Sequence, residues 1–377
     1  MTCLANTMSK ILVTFYFLLT TFLLVYSYGY LDFNLTLSSH PLFLRFVAPL
    51  QHLVYFDRQH SAYFYAGIFF SLFALYLFSL KPNFRPASFP WRVFLWLMLI
   101  LTLSYPMLSY DIFNYMFHGK ILWLYQSNPH TVAPLFFEGD LWLRFMRWVH
   151  TPSAYGPVFT LIESPAYLLG LGKFVPVLYL MKATMIAFYV WCVYLVGVIM
   201  RKLNQDNSTI VLSQLMLAFN PFLWLELVIN SHNDAVMIAF LLFALSSTLN
   251  HQKVLSVVSL ALSIGVKYVT VISAPLLLIK NNKLKIILIT LSLLAPVLLS
   301  PGRFQPWYLT WSLIPAVLIN QSWARAWIIT TSFAGLIYYI PYIYTGFWNL
   351  GDILRFSLIY GPTTITVIYF AYLKKHI

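Results

Sequence analysis

Long apolar stretches separated by short polar segments dominate this chain. Several are about 20 residues long, the length that an α-helix needs to cross roughly 30 Å of hydrocarbon. The pattern predicts an all-α polytopic membrane protein with about ten transmembrane helices. A polar, proline-bearing loop is expected after the first of them, up to about residue 60. The predicted helices cover about residues 10–30, 61–80, 91–108, 176–200, 208–229, 234–250, 286–300, 306–320, 326–345 and 353–373.

Basic segments set the orientation of these helices, because Lys and Arg accumulate in cytoplasmic loops. The segments KPNFRPASFPWR (81–92) and RKLNQ (201–205) are therefore expected inside. The helix count then places both the N-terminus and the C-terminal Lys374-Lys375 inside. The third predicted helix delivers Asp111 to the outer face.

A broken-helix hairpin is predicted at residues 254–279. This stretch is too short for two spans, yet the basic segment KNNKLK (280–285) that follows is predicted to be cytoplasmic. A turn at Gly265-Val266-Lys267 satisfies both observations. Breaks inside the membrane are tolerated where the backbone lines a polar cavity.

The stretch 109–175 is predicted to be a long outer loop with juxtamembrane helices. Its segment 154–172 is short and is interrupted by Pro157 and Pro165, which favours a juxtamembrane or re-entrant helix over a span. Before it, the sequence DLWLRFMRWVH (140–150) has apolar and basic positions at helical spacing. This spacing is typical of an amphipathic helix at a membrane interface, with Leu141, Phe145 and Trp148 on its apolar face.

Composition supports the membrane interpretation. The chain is 60% hydrophobic and 9% charged, with a mean hydropathy of +0.77, whereas soluble domains are roughly 25% charged. The net charge of +13 indicates the positive-inside bias and attraction to anionic lipid, because no nucleic-acid-binding motif is present. Cys3 and Cys192 are too far apart for a disulfide framework or a cysteine metal site. No small-residue cleavage site follows the first apolar stretch, so we expect a retained helix and a single membrane domain over residues 1–377.

Acidic residues are distributed unevenly across the predicted membrane. Of the ten Asp and Glu residues, only Asp206 falls on the cytoplasmic side. Topology does not explain this, because acids contribute little to membrane orientation. Ionisable groups at membrane depth are candidates for function, so a polar cavity is expected at the outer face.

The helix that begins near Asp111 carries the first candidate site. Asp111, Asn114, Tyr115 and His118 follow i, i+3, i+4, i+7 spacing and would share one helix face. A carboxylate, an amide, a phenol and an imidazole suit the hydroxyl groups of a sugar. The alternative is that Asp111 only caps the helix, since Asp at a helix start accepts backbone N–H bonds.

The sequence His232-Asn233-Asp234 carries the same ambiguity, because Asp234 is also placed to cap the next helix. As a metal site it lacks companions, so no bound metal and no other cofactor is expected. Glu226, inside an apolar helix two turns earlier, is interpreted as a structural hydrogen-bond anchor in preference to a site residue.

Lys267 and Arg303 are candidate phosphate ligands. Lys267 is a lone cation in an apolar run, and Arg303 lies in the aromatic segment SPGRFQPWY. Each either extends its ammonium or guanidinium to the membrane interface or neutralises the phosphate of an anionic lipid headgroup.

Five segments, in order, carry a resemblance to a known superfamily. YDIFNYMFHGKILWLYQSNPH resembles the D-x-x-x-Y-x-x-x-G … N-P-Y segment of GT-C membrane glycosyltransferases, with His130 in place of the usual aromatic. AYGPVF resembles their Y-G/P-P-L element. NPFLWLELVINSHNDA, GVKYVTVISAPLLL and QPWYLTWSLIP are similar to segments of bacterial polyprenyl-phosphate-mannose-dependent α-mannosyltransferases. The chain departs at Ser231, where Gly is commoner.

The resemblance implies a GT-C-like fold and a reaction. A hexose, with mannose favoured, passes from a polyprenyl-phosphate donor to a glycan or glycolipid acceptor, with inversion. Asp111 is implied as the general base, and Lys267 and Arg303 as ligands of the leaving phosphate. The implied sugar and acceptor pocket contains Asn114, Tyr115, His118, Asn128, Tyr155, His232, Asn233, Asp234, Gln305, Trp307 and Tyr308.

The resemblance also implies a place and partners. The protein is expected in a bacterial plasma membrane with its active site on the extracytoplasmic side, in contact with donor, acceptor and membrane lipid, and not with nucleic acid. Two alternatives stay open. One is a transporter or flippase for a polyprenyl-linked sugar, which needs no base and would tolerate Asp111→Asn. The other is a lipid-linked glycan ligase or polymerase.

Overall fold

The computed structural model describes residues 8–348 and 351–376, and every regular element within them is helical. The α-helices are α1 (Lys10–Ser27), α2 (Pro41–Tyr55), α3 (Arg58–Leu80), α4 (Trp91–Thr102), α5 (Asp111–Trp123), α6 (Pro157–Leu169), α7 (Phe174–Lys202), α8 (Asn207–Ala218), α9 (Pro221–Leu223), α10 (Asp234–Leu249), α11 (Lys253–Val266), α12 (Asn282–Leu299), α13 (Thr310–Ala316), α14 (Ser322–Tyr338), α15 (Ile340–Thr345) and α16 (Asp352–His376). A π-helix, Trp224–Ile229, continues α9. Short 3-10 helices cover Tyr28–Tyr30, Pro82–Phe84, Pro134–Phe136, Leu141–Phe145, Tyr268–Ser273, Pro275–Leu278, Pro301–Arg303 and Pro306–Leu309.

Six helical segments of the described chain are long and apolar enough to cross a membrane, or seven if one bent pair counts as a span. The bent pair is α8 with Pro221–Ile229, at 42°. Helices α4, α10 and α11 and the segment Tyr268–Leu278 are apolar but shorter. The helix expected at 306–320 is a 3-10 turn followed by the seven-residue α13. The six segments that are long and apolar enough to cross a membrane are Lys10–Tyr30, Arg58–Leu80, Phe174–Lys202, Asn282–Leu299, Ser322–Thr345 and Ile353–Tyr372.

The prediction of a loop between the first two helices was wrong, because that stretch contains α2. Pro41 stands in the first turn, where its missing N–H costs nothing, and the ring of His40 accepts a hydrogen bond from the backbone N–H of Leu42 (3.3 Å). The helix is amphipathic: Val47 and Val54 are buried, whereas its other face is exposed. Polar residues flank this short amphipathic pattern, which makes the helix difficult to recognise from the sequence.

The stretch 109–175 contains α5 and α6 joined by an irregular segment. Pro157 begins α6 and Pro165 lies inside it, so neither proline interrupts the helix. The amphipathic α-helix predicted near 141–148 was wrong: a 3-10 helix ends at Phe145, which is buried against Phe174 (ring centroids 4.2 Å apart). Asp140 starts that turn by accepting a hydrogen bond from the N–H of Trp142 (2.9 Å).

The break expected at Lys267 is present. Helix α11 ends at Val266, and Lys267 is extended (φ −142°, ψ 122°) before the 3-10 turns that follow. The chain reverses direction at Lys267. As a result, the start of α11 and residues 274–285 line the same groove, at the end of the hairpin away from Lys267. The reversal leaves Lys267 at the tip, where it lines a cavity.

Contacts between loops place the predicted cytoplasmic segments at one end of the molecule. Asn207 donates to the carbonyl of Ala87 (2.6 Å), and Arg85 donates to the hydroxyl of Ser208 (2.9 Å). The amide of Asn320 donates to Gln205 (2.7 Å). These contacts join the loops after α3, α7 and α13.

Candidate active site

A cavity of about 630 Å³ opens between α5, the hairpin tip and the segment before α13. Its polar lining comes from side chains far apart in the sequence. Of the predicted site residues, those that line it are Asp111, Asn114, His118, Tyr155, Lys267, Gln305, Trp307 and Tyr308.

Asp111 lies at the first position of α5 but does not cap it. The N-cap is Tyr110, and no side-chain capping bond is made. Instead, the Asp111 carboxylate accepts hydrogen bonds from the indole N–H of Trp148 (3.1 Å) and the hydroxyl of Tyr155 (3.2 Å). The carboxylate is therefore oriented by side chains and opens on the cavity.

The charge of Asp111 follows from its neighbours. Burial raises its pKa, but contacts with His232, Lys267 and Tyr155 lower it by more, so the pKa lies below the usual 3.8. His232 Nδ1 lies 3.6 Å from Asp111 Oδ2. A carboxylate in this state is ionised at neutral pH and can accept a proton.

The polar face of α5 is only partly available. Asn114 and His118 line the cavity, and the amide of Asn114 donates to the carbonyl of Trp148 (2.9 Å). Tyr115 does not line it, because its ring packs edge-on against those of Tyr155 (5.2 Å) and Phe159 (4.8 Å). Tyr155 covers that edge of the helix face.

Lys267 projects into the cavity from the hairpin tip. Its ammonium lies 2.6 Å from Asp234 Oδ1, and Trp311 Nε1 donates to the same oxygen. The ammonium also lies 5.7 Å from the ring centroids of both Tyr155 and Trp311. Asp234 is therefore an ion-pair partner, and its side chain makes no capping bond in α10. An ammonium has three donors, so Lys267 can bind a further anion.

His232 lies behind Asp111, fully buried and stacked on Trp307 (4.3 Å, 19°). Its Nε2 lies 3.6 Å from Glu226 Oε2. Glu226 itself accepts hydrogen bonds from Tyr339 (2.7 Å) and Asn230 (3.1 Å), in agreement with the anchor interpretation. Its approach to His232 adds a contact that helical spacing alone does not reveal.

Asn128 and Asn233 do not line the cavity. Asn128 is exposed and its side chain accepts from the N–H of His130 (2.9 Å), which closes a turn of the loop. The side chain of Arg303 lies outside the described residues. Asn233 is fully buried beside the ion pair but does not line the cavity.

Buried polar atoms without a hydrogen-bond partner concentrate near the cavity. Among the described residues they include both imidazole nitrogens of His118, the amide oxygen of Asn114, the hydroxyl of Tyr115 and both amide atoms of Asn233. Each such atom costs about 1–3 kcal/mol if left unpaired. A polar ligand or water in the cavity would recover part of that cost.

Four further residues around the site were not among the predicted site residues, although Glu163 was counted with the acids of the outer face. Trp148 and Trp311 orient the two carboxylates, and Glu163 lies behind His118 (Oε1 to Nδ1, 3.4 Å). Lys182, fully buried in α7, donates to the carbonyls of Val228 (3.0 Å) and Ile229 (2.8 Å). A lone Lys in the middle of an apolar span was the available signal.

The described residues contain no group of three or more His, Cys, Asp or Glu side chains arranged to hold a metal ion. In the cavity, the Lys267 ammonium is paired with Asp234, and the Asp111 carboxylate is bonded to Trp148 and Tyr155. Asp140, a further outer acid, pairs with Lys120 (2.5 Å) away from the cavity.

Comparison with known families identifies the chain. The family model for the N-terminal domain of alpha-(1->6)-mannopyranosyltransferases matches residues 24–281, and that for the MptB C-terminal domain matches residues 234–369. Searches of curated proteins and of solved structures gave no significant match. The first match covers about two thirds of the chain, including Asp111, His232 and Lys267. The chain therefore belongs to the alpha-(1->6)-mannopyranosyltransferase family and is a membrane glycosyltransferase.

Proposed function

We propose that the protein transfers mannose from a polyprenyl-phosphate donor to a glycan or glycolipid acceptor at the extracytoplasmic face of a bacterial plasma membrane. The observation that carries this proposal is the position of Asp111, an oriented carboxylate opening on a cavity that also holds Lys267. The family match is the reason for proposing mannose as the sugar. The positions of Asp111 and Lys267 are the reason for the proposed mechanism.

Asp111 is proposed as the general base. The acceptor hydroxyl gives its proton to the carboxylate while its oxygen forms a bond to C1 of the mannose. The bond from C1 to the phosphate oxygen breaks on the opposite side, which inverts the configuration at C1. Trp148 and Tyr155 hold the carboxylate in one orientation, as efficient proton transfer requires.

Lys267 is proposed to stabilise the leaving phosphate. Negative charge grows on that group as its bond to C1 breaks, and a fixed cation in a water-poor cavity stabilises it. Asp234 and Trp311 restrict the ammonium before the donor arrives. Arg303 stays a second candidate ligand of the leaving phosphate on sequence grounds, because it lies in the aromatic segment SPGRFQPWY together with Trp307.

A lipid-linked donor fits the surroundings of Lys267. The next residue, Tyr268, lines the cavity and is exposed, and Val271 one turn later is exposed as well. An apolar surface beside the phosphate ligand provides a path for a polyprenyl chain along the hairpin. Accordingly, we propose that the shorter helices α4, α10 and α13 also cross the membrane, which gives about ten crossings with the hairpin inserted from one side.

The test is mannose transfer in reconstituted membranes, with radiolabelled polyprenyl-phosphate-mannose and a glycolipid acceptor extract. Asp111→Asn keeps the size of the side chain and removes the base; its amide oxygen can still accept from Trp148, and its NH2 can donate to the Tyr155 hydroxyl. We expect Asp111→Asn to transfer mannose about 10²–10⁴-fold more slowly than wild type. Transfer by wild type should be unaffected by a chelator and should give product of inverted configuration. Asp140→Asn, which removes an acid paired outside the cavity, is the matched control.

Equal transfer by wild type and Asp111→Asn would refute the assignment of the base. If wild type moves the labelled lipid across the membrane without transferring its sugar, and Asp111→Asn does the same, the flippase alternative is correct. Loss of activity on chelation would contradict the metal-independent reaction.

A further inference from the structure

Three buried ionisable groups form a row that leads away from the cavity. His232 lies between Asp111 and Glu226, with Nδ1 3.6 Å from Asp111 Oδ2 and Nε2 3.6 Å from Glu226 Oε2. His232 and Glu226 are fully buried. In the described part of the chain neither imidazole nitrogen has a hydrogen-bond partner, so the two carboxylates are the polar groups that face them.

The local fold builds this row. Glu226 lies in the π-helix, a widened turn that occurs frequently at functional sites. Ser231 then adopts a left-handed conformation (φ 58°), and the chain folds back so that the N–H of His232 donates to the carbonyl of Glu226 (3.0 Å). The two side chains are therefore held in register by their own backbone.

Further contacts fix this turn relative to the base. Lys182 binds the last carbonyls of the π-helix. The side chain of Asn230 accepts from the N–H groups of Met107 (3.3 Å) and Leu108 (3.1 Å) and donates to Glu226. The segment that leads into Asp111 and the turn that carries His232 are thus bonded to each other.

We propose that His232 and Glu226 form a proton relay behind the general base. In this relay the proton that Asp111 takes from the acceptor passes from Oδ2 of Asp111 to Nδ1 of His232. Glu226 stays ionised and balances the imidazolium. When the products leave and water enters the cavity, the imidazolium returns the proton to that water through the Asp111 carboxylate, which lines the cavity. This proposal rests on the proposed function.

The relay requires one tautomer, and Glu226 selects it. A neutral imidazole carries its proton on one nitrogen and accepts at the other. In its ionised form Glu226 can only accept, and in that form it places the imidazole proton on Nε2 and leaves Nδ1 free to accept from Asp111. His232 and Glu226 are positioning residues, because neither touches the cavity.

Charge balance assigns Glu226 its role. An uncompensated imidazolium in a buried site is costly, and an adjacent carboxylate offsets that cost. Of the other basic groups near the row, Lys267 is paired with Asp234, and Lys182 is bound to the carbonyls of Val228 and Ile229. Asp111 is ionised again once its proton has passed to His232, and Glu226 is placed to stabilise the imidazolium from the opposite side of the ring.

The anchor role and the relay role of Glu226 are separable. Its hydrogen bonds to Tyr339 and Asn230 need only polar atoms, and the amide of Glu226→Gln supplies them, since a tyrosine hydroxyl both donates and accepts. The relay needs the negative charge. Glu226→Gln therefore removes the charge and preserves the anchor.

The experiment measures kcat, KM for the donor and the unfolding temperature of the full-length protein in membranes. For Glu226→Gln we expect kcat to fall about 10–100-fold, below the effect of removing the base itself, with KM and unfolding temperature within about twofold and a few degrees of wild type. Glu226→Asp, which keeps the charge, should recover part of kcat. Asp140→Asn again serves as control.

A double variant tests whether the two residues act as one unit. Once His232→Gln has broken the relay, adding Glu226→Gln should lower kcat no further. Unchanged kcat in Glu226→Gln, or a loss that appears only in KM or unfolding temperature, overturns the relay and leaves Glu226 an anchor. Because wild type and Asp111→Asn are measured alongside, an active wild type with an inactive Asp111→Asn keeps the proposed function intact in that event.

Discussion

Two buried carboxyl groups near the cavity have opposite charge preferences. Asp111 accepts hydrogen bonds from Trp148 and Tyr155, which favour its ionised form. Glu163 has no hydrogen-bond donor among the described residues and faces only His118 at 3.4 Å. Burial raises the pKa of Glu163 to about 7, although His118 opposes the shift. Their surroundings therefore keep Asp111 ionised at neutral pH, whereas Glu163 is only partly ionised there.

The stability of the protein should depend on Glu163 between about pH 4.5 and pH 7. The folded state holds this proton more tightly than the unfolded state, so its contribution is present below pH 4.5 and is lost as pH rises through 7. A shift of this size corresponds to roughly 3 kcal/mol. Thermal unfolding of detergent-solubilised protein should show Glu163→Gln gaining stability relative to wild type on going from pH 5 to pH 8. A pH-independent difference would mean that Glu163 does not titrate in this range.

Sequence spacing located the residues of the site that belong to one helix face and missed contacts between distant segments. Asp111, Asn114 and His118 follow from i, i+3, i+7 spacing, and all three line the cavity. Spacing does not show that the Tyr155 ring covers Tyr115, because the two residues lie on different elements. Helical spacing also does not show that His232 lies beside Glu226, because a turn outside regular helix geometry brings the two side chains together.

At the scale of elements, two glycines hold the loop before α6 against the hairpin tip. The N–H of Gly156 donates to the carbonyl of Val266 (2.9 Å), and a Cβ on Gly156 would overlap the carbonyl of Gly265. Tyr155 and Lys267 are the immediate neighbours of this contact in sequence. The close approach of the two backbones therefore sets the distance between the orienting tyrosine and the phosphate ligand.

Gly156→Ala should disturb both elements, because the overlapping atoms belong to backbone and cannot rotate away. We expect a loss of about 1–3 kcal/mol in stability and a fall in transfer activity. The measurements are thermal unfolding and mannose transfer. Gly67→Ala is the control, since a Cβ there meets nothing within 4 Å and α3 gains a better helix former. Equal behaviour of the two variants would show that the contact with Gly265 is not tight.

Long apolar helices were the most predictable elements, and short ones were the least. Helix α7 was expected at 176–200 and extends over Phe174–Lys202. In contrast, α2 was missed and the 3-10 helix Leu141–Phe145 was predicted to be α-helical. A long span is specified by its own hydrophobicity, whereas these short elements depend on caps and on packing against neighbours.

The whole molecule separates the basic loops from the cavity that contains Asp111 and Lys267. The cytoplasmic assignment of the loops after α3 and α7 rested on Lys and Arg, and these loops contact each other through Asn207 and Ala87. Asp111 and Lys267 lie at the other ends of their segments, around the cavity. An odd number of crossings between the two groups satisfies both the charge pattern and the contacts. This arrangement supports a single orientation for the protein.

Membrane-impermeant thiol labelling of intact cells should reveal that orientation. Cysteines at the exposed positions Glu138 and Phe347 are expected to react from outside, because they follow an odd number of crossings. Cysteines at the exposed positions Asn83 and Gln252 should react only after the cells are permeabilised. Cys3→Ser and Cys192→Ser remove the native thiols first, and a mannose-transfer assay confirms that each variant is folded.

Each pair of positions tests a different part of the trace. Reaction at Asn83 in intact cells would invert the orientation and move the cavity to the cytoplasmic side, where a donor in the outer leaflet could not reach Asp111. Reaction at Gln252 alone would instead change the number of crossings between α7 and α11, because the position of the first helices would stand. Labelling at Phe347 decides whether the short α13 crosses, since without that crossing the loop after α15 would face the cytoplasm. The proposed outward-facing active site requires Asn83, Glu138 and Gln252 to behave as expected.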